Sequence, residues 1–130
     1  MIVLDASAVI EILLQTRAGS SLTERLLSPD TALQAPYLLQ VEVAQVLRRF
    51  CARGELQPER ARQALADLLD FPVELHSHDL LLPRAWELRE NLTVYDAVYI
   101  ALAELLEAPL LTRDRRLAAA RGHTARTELF

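Results

Sequence analysis

Tyr95-Asp96-Ala97-Val98-Tyr99-Ile100-Ala101-Leu102-Ala103, followed past Pro109 by Leu110-Leu111-Thr112-Arg113-Asp114, reads as a buried helix feeding a short buried strand. Thr93 starts the helix, the most apolar in the chain, and it ends before Pro109. Pro109 to Thr112 form the strand, with a short helix from Arg115 to Ala120 after it. Outward from here the same alternation recurs. Met1 to Asp5 is short, apolar and β-branched at Ile2 and Val3, as a buried strand is. Ala8 to Leu14 is a short helix with a break at Gly19-Ser20, and Ser20 or Ser21 then caps a helix to about Leu27. Ser28-Pro29-Asp30 is a turn, and Thr31 to Ala35 a second strand. Pro36 introduces a long helix to about Arg53, with Leu39, Val43, Val46, Leu47 and Phe50 on one face and Gly54 as its stop. Pro58 suits the first turn of a helix from Glu59 to Leu69. Val73 to His76 is a third strand, Asp79 caps a helix to about Glu90, and Arg126 to Phe130 is a weak last strand. Strands alternating with helices predict an α/β fold, a mostly parallel sheet with helices on both faces, in one domain over residues 1–130.

A chain of 130 residues can bury roughly two-thirds of its unfolded surface, enough for a self-sufficient core. Its hydrophobic fraction, 52%, is high enough to suggest a thick sheet, an apolar interface, or both. No run approaches the ~20 apolar residues of a membrane span. No basic segment precedes the N-terminal apolar residues, so no secretory signal is expected. The single cysteine, Cys51, excludes an internal disulfide and reads as a small core residue. The expectation is a cytoplasmic protein with no membrane partner. A net charge of −4 excludes a general nucleic-acid sponge. Yet all fourteen basic residues are arginine, and Arg113, Arg115, Arg116, Arg121 and Arg126 fall in the last eighteen residues. That is a basic patch on an acidic protein.

Four carboxylates adjoin core segments rather than surface. Asp5 ends the first strand, and Asp114 follows the fourth. Asp96 shares a helix row with Tyr99, Ile100 and Ala103, and Glu42 one with Leu39 and Val46. Each has an ordinary reading. Asp5 and Asp114 can cap helices, Asp96 can form a capping box with Thr93, and Glu42 can pair with Arg49 or Gln45. Jointly those readings leave the apolar surroundings unexplained, because a buried unpaired carboxylate is costly. The chain has no lysine, and no arginine lies in the first three segments. In an open α/β sheet, ligands bind beyond the carboxyl ends of strands, which is where Asp5 and Asp114 lie. An all-oxygen set selects Mg²⁺ or Mn²⁺ over zinc. Such ions stabilise the charge of a phosphoryl transition state without a histidine base. His76 and His78 read as structural or surface residues, and His123 as a residue of the basic tail.

Four segments, Val3-Leu4-Asp5-Ala6-Ser7-Ala8-Val9, Val41-Glu42-Val43-Ala44, the Tyr95–Ala103 run and Leu110-Leu111-Thr112-Arg113-Asp114-Arg115-Arg116-Leu117, resemble a PIN-domain ribonuclease of the VapC toxin type. The motifs arrive in family order over nearly the whole chain. The resemblance implies a sheet ordered 3-2-1-4-5 and metal-dependent endonucleolytic cleavage of RNA. It implies an acidic quartet on Asp5, Glu42, Asp96 and Asp114, with hydroxyl support from Ser7 and Thr112. On this reading Asp5, Asp96 and Asp114 hold the Mg²⁺ or Mn²⁺, Glu42 completes the pocket or orients water, and Arg113, Arg115 and Arg116 grip RNA phosphates. It also implies a homodimer and a neutralising antitoxin.

Rival classes fit less well. Asp5-Ala6-Ser7-Ala8-Val9 partly mimics the D-x-S-x-S metal-adhesion motif, but Val9 removes a ligand. A phospho-acceptor receiver needs a lysine that this chain lacks. A PIN fold acting only as a scaffold or DNA-binding partner is argued against by an intact quartet.

Overall fold

The structure, a computed structural model, describes residues 1–26 and 28–130. Five strands, β1 (Ile2–Leu4), β2 (Leu33–Pro36), β3 (Val73–His76), β4 (Leu110–Thr112) and β5 (Thr127–Leu129), form one sheet in the order β3-β2-β1-β4-β5. Every pairing is parallel. Among the described residues, seven helices connect them: α1 (Ala6–Leu13), α2 (Arg17–Leu26), α3 (Leu38–Ala52), α4 (Pro58–Leu69), α5 (Leu82–Glu87), α6 (Val94–Leu106) and α7 (Arg115–Ala119). The predicted α/β class and strand order are therefore what the chain forms.

Burial explains why the strands were legible. Val3 and Leu4 of β1, and all of β2 and β4, are buried whichever way each side chain points. A parallel strand covered on both faces is apolar along most of its length, and the buried polar residues here, Gln34 and Thr112, are hydrogen-bonded. The apolar helix α6 packs on β1, β2 and β4, and its Ala97 to Ala103 run is buried throughout. Three of the five apolar positions expected on α3, Leu39, Val43 and Leu47, are buried, while Val46 and Phe50 pack at the core's edge. Cys51 is half-buried, not a core residue. The described residues contain no helix long and apolar enough to cross a membrane.

Two boundaries differ from expectation. Gly19-Ser20 is not a break but lies inside α2. The break falls earlier, where Gln15 takes a left-handed φ of 54° and the Thr16 hydroxyl accepts the Gly19 N–H at 3.0 Å. Glycine is needed at 19 for proximity: a Cβ there would sit 1.9 Å from the Glu11 carbonyl oxygen of α1. The expected end of this helix at Leu27 lies outside the described residues. Asp79 does not cap a long helix either. Ser77 caps a 3₁₀ turn, His78–Leu80, and α5 starts afresh beside Pro83, which lacks an N–H to continue a ladder. The two histidines are structural. His76 Nε2 bonds Gln34 Oε1 at 2.5 Å, and His78 Nε2 accepts the Leu38 N–H at 2.9 Å, so it caps α3 where Tyr37 does not.

Candidate active site

From β1 the chain steps outward through β2 to β3, then returns to the other side of β1 as β4. The sheet therefore switches direction between β1 and β4, and a crevice opens beyond their carboxyl ends. The register sets its floor. Val3 pairs with Leu110 and Leu4 with Leu111, so the next residues in line are Asp5 and Thr112.

Asp5 is 6% exposed and carries three donors. Ser7 Oγ donates to Oδ1 at 2.6 Å, the Ala8 N–H donates to Oδ1 at 3.1 Å, and Thr112 Oγ1 makes a short bond to Oδ2. Burial raises the Asp5 carboxyl above its ordinary range, those three donors oppose the rise, and the Asp114 charge adds to it. Each hydroxyl has one proton, and both are committed to Asp5. The 3.4 Å Ser7–Thr112 contact is therefore not a donor pair. As acceptors the same hydroxyls tie down the next loop: Ser7 Oγ takes the Arg113 N–H at 2.9 Å, and Thr112 Oγ1 the Asp114 N–H at 2.9 Å.

Asp114 caps α7, its Oδ1 accepting the Arg116 N–H at 2.8 Å and the Leu117 N–H at 3.3 Å. Asp96 lies in the first turn of α6, where Thr93 Oγ1 accepts its N–H at 3.2 Å. Burial raises the Asp96 carboxyl, and the Asp114 charge raises it further against smaller help from Thr93 and Arg116. Glu42 comes from α3. It makes neither of the ion pairs or hydrogen bonds expected for a surface role, and among the described residues its buried Oε1 has no partner. Burial raises its carboxyl, the Tyr99 hydroxyl lowers it, and the charges of Asp96 and Asp5 raise it again. Charge thus links Asp5 with Asp114 and Glu42, and Asp96 with the same two, and the pocket is short of positive charge.

That deficit suits a divalent cation, and an all-oxygen set with an orphaned carboxylate oxygen fits Mg²⁺ or Mn²⁺ rather than a softer metal. Among the described residues, however, no three His, Cys, Asp or Glu side chains form a ready ligand cluster. Mg²⁺ keeps several of its waters, so wider spacing of carboxylates remains compatible with it.

The arginines divide. Arg113 is exposed but engaged, 3.7 Å from Glu11 and with its guanidinium 5.6 Å from the Phe130 ring centroid. Arg115 and Arg116 are exposed, and Arg116 Nε lies 3.8 Å from Asp114 Oδ1. His123 turns inward toward Glu104, both ring nitrogens buried and, among the described residues, unpartnered. Sequence reasoning missed Tyr99 as a site residue. Its place three residues after Asp96 was visible, but a tyrosine in an apolar row reads as core.

The PIN domain family model matches residues 2–122. Ribonuclease VapC1 of Mycobacterium tuberculosis is 43% identical over 122 residues, covering 92% of this chain and 90% of that protein. Ribonuclease VapC12 of the same organism is 39% identical over 129 residues, covering 99% and 98%. Among solved structures, VapBC2 from Rickettsia felis, bound to a DNA fragment from its promoter, superposes with a TM-score of 0.72 at 14% identity over 100% of this chain and 99% of that one.

Proposed function

The chain belongs to the PIN domain family, and from that membership we propose that it is an endoribonuclease, dependent on Mg²⁺ or Mn²⁺, acting as the toxin of a toxin–antitoxin pair. The observation that carries the reading is Asp5, buried at the switch point, gripped by two hydroxyls and coupled by charge to Asp114 and Glu42, both of which are coupled in turn to Asp96. Asp5, Asp96 and Asp114 would hold the cation, directly or through water. The ion's chemistry would be to neutralise charge on the scissile phosphate and to acidify water. Glu42, with a free buried oxygen, completes the pocket and orients the attacking water. Ser7 and Thr112 keep Asp5 ionised and fixed, as outer hydrogen bonds do at metal sites. Arg115 and Arg116, exposed at the rim, are placed for RNA phosphates; Arg113 reaches them only by leaving Glu11 and Phe130.

The proposed partners are RNA, a cognate antitoxin and a second copy of the chain, and the proposed setting is the cytoplasm. Exposed Tyr37, Val41, Leu80, Leu82, Trp86 and Tyr95 supply apolar surface for protein interfaces. The test is cleavage of total RNA by purified protein with Mg²⁺, with Mn²⁺ and with chelator, beside Asp96→Asn prepared identically. Metal-dependent cleavage absent from the variant supports the reading. A folded, antitoxin-free protein that cleaves no class of RNA overturns it.

A further inference from the structure

Tyr99 lies one turn after Asp96 on α6 and is 1% exposed, one of the largest fully buried side chains in the protein. Two buried polar atoms, the Tyr99 hydroxyl and Glu42 Oε1, have no hydrogen-bond partner among the described residues. Each nonetheless acts on the other's ionisation, so the two groups are neighbours. After burial, Glu42 is the strongest influence on Tyr99, and Tyr99 is the one contact that favours an ionised Glu42. The other charges acting on the tyrosine are Asp5 and Asp96.

A phenylalanine would fill this volume without burying a hydroxyl, and an unpaired buried hydroxyl is destabilising. The hydroxyl's surroundings allow it one role. Burial and three carboxylates hold the phenol protonated far above its usual range, so it is a donor and not a base. Glu42 needs a donor. Its side chain is flexible, Asp5 and Asp96 repel it, and among the described residues its Oε1 has no hydrogen-bond partner.

We propose that Tyr99 is the positioning residue of Glu42: its hydroxyl donates to the Glu42 carboxylate and holds it toward Asp5 and Asp96, against their repulsion. One hydrogen bond between the two groups would satisfy both orphaned atoms at once. For its catalytic consequence the inference rests on the nuclease reading above; for its effect on cation binding it does not.

The experiment is a double-mutant cycle of Tyr99→Phe and Glu42→Gln, with circular dichroism confirming that each protein is folded. Mn²⁺ binding to metal-stripped protein is measured by calorimetry, and kcat and KM on a cleavable oligoribonucleotide are measured in parallel. Tyr99→Phe is expected to weaken Mn²⁺ binding about fivefold in the wild-type background and to leave it unchanged in Glu42→Gln. In turnover, kcat falls about tenfold or more while KM moves less than twofold, and the loss again vanishes in Glu42→Gln. Equal effects in both backgrounds, or no effect of Tyr99→Phe on Mn²⁺ affinity, overturn the inference. So does a wild type that binds no Mn²⁺. A wild type that binds Mn²⁺, shows the predicted cycle and cleaves no RNA leaves Tyr99 in its role and overturns the nuclease reading alone.

Discussion

Thr112→Val removes one oxygen from the floor of the site and nearly nothing from its volume. The threonine is fully buried, donates to Asp5 Oδ2 and accepts the Asp114 N–H at 2.9 Å. A hydrogen bond to a charged group contributes about 1.5–3 kcal/mol, and a part-buried donor left unpaired costs about 1 kcal/mol more. The expected loss is therefore about 3 kcal/mol, a large share of the 5–15 kcal/mol that typically holds a domain folded. For a chain of this size it corresponds to a melting point lower by about 10 °C. The loss should also depend on pH. The Asp5 carboxyl is already raised by burial, and Thr112 is one of three donors restraining it, so the variant's carboxyl rises further. A folded-state carboxyl raised above its unfolded value takes up protons on folding, so stability falls as pH rises through that range. The variant's deficit is thus full near neutrality and narrows as pH falls through its own, higher, Asp5 range. Thermal melts at pH 7.5 and pH 5 test both halves. A drop under about 3 °C, or an equal drop at the two pH values, would show that Thr112 is not restraining an ionised Asp5.

Glu42→Gln removes a half-buried carboxylate that burial and two neighbouring charges keep raised, so it should melt higher than wild type at pH 8 while losing cleavage. That advantage shrinks as pH falls through the raised range in which the wild-type carboxyl takes up its own proton; a variant melting lower than wild type at pH 8 contradicts the account. Gly19→Ala forces a Cβ into the Glu11 backbone, which can give only by separating α1 from α2, and urea unfolding should show a loss of about 2–3 kcal/mol. A loss below 1 kcal/mol would mean the helices part easily. Arg84→Met breaks the ion pair with Glu104 (2.7 Å) and the bond to the Gly122 carbonyl (3.2 Å), and so frees the segment that Glu104 also holds through the Thr124 N–H. Amide exchange at Thr124 should speed up at least tenfold, with β1 unchanged; equal protection in both proteins would assign that anchoring elsewhere.

Local signals carried most of the fold. Buried parallel strands declare themselves as short apolar runs, and Thr93 and Asp114 declared helix starts that the structure keeps. Errors arose where a distant segment decides. Gly19 reads as a breaker until α1 is seen to press on it, and Asp79 reads as a cap until Ser77 and Pro83 divide the segment between them. The site divides the same way. Carboxylates embedded in apolar segments stand out in one dimension. What engages Arg113 (Glu11 and Phe130), and which carboxylate the Tyr99 hydroxyl meets, are contacts between residues far apart in the chain.

The ordinary readings of Asp5 and Asp114 as helix caps were correct, and they do not compete with the site. Asp5 caps α1 and Asp114 caps α7. Adjacent parallel strands end at the same edge, so the helices that follow β1 and β4 begin there together, and their cap residues become neighbours. A cap also fixes its carboxylate: backbone N–H groups on Oδ1 hold the group in one orientation and leave the other oxygen for the crevice. For Asp114 that second oxygen is free of any hydrogen bond among the described residues; for Asp5 it takes Thr112, brought opposite by the β1–β4 register. Lengthening the β1–α1 junction by one residue would preserve both strands yet turn Asp5 away from Thr112. Two helix caps joined by one strand register are therefore enough to bring two like charges into one pocket, and the repulsion between them is what a bound cation would relieve.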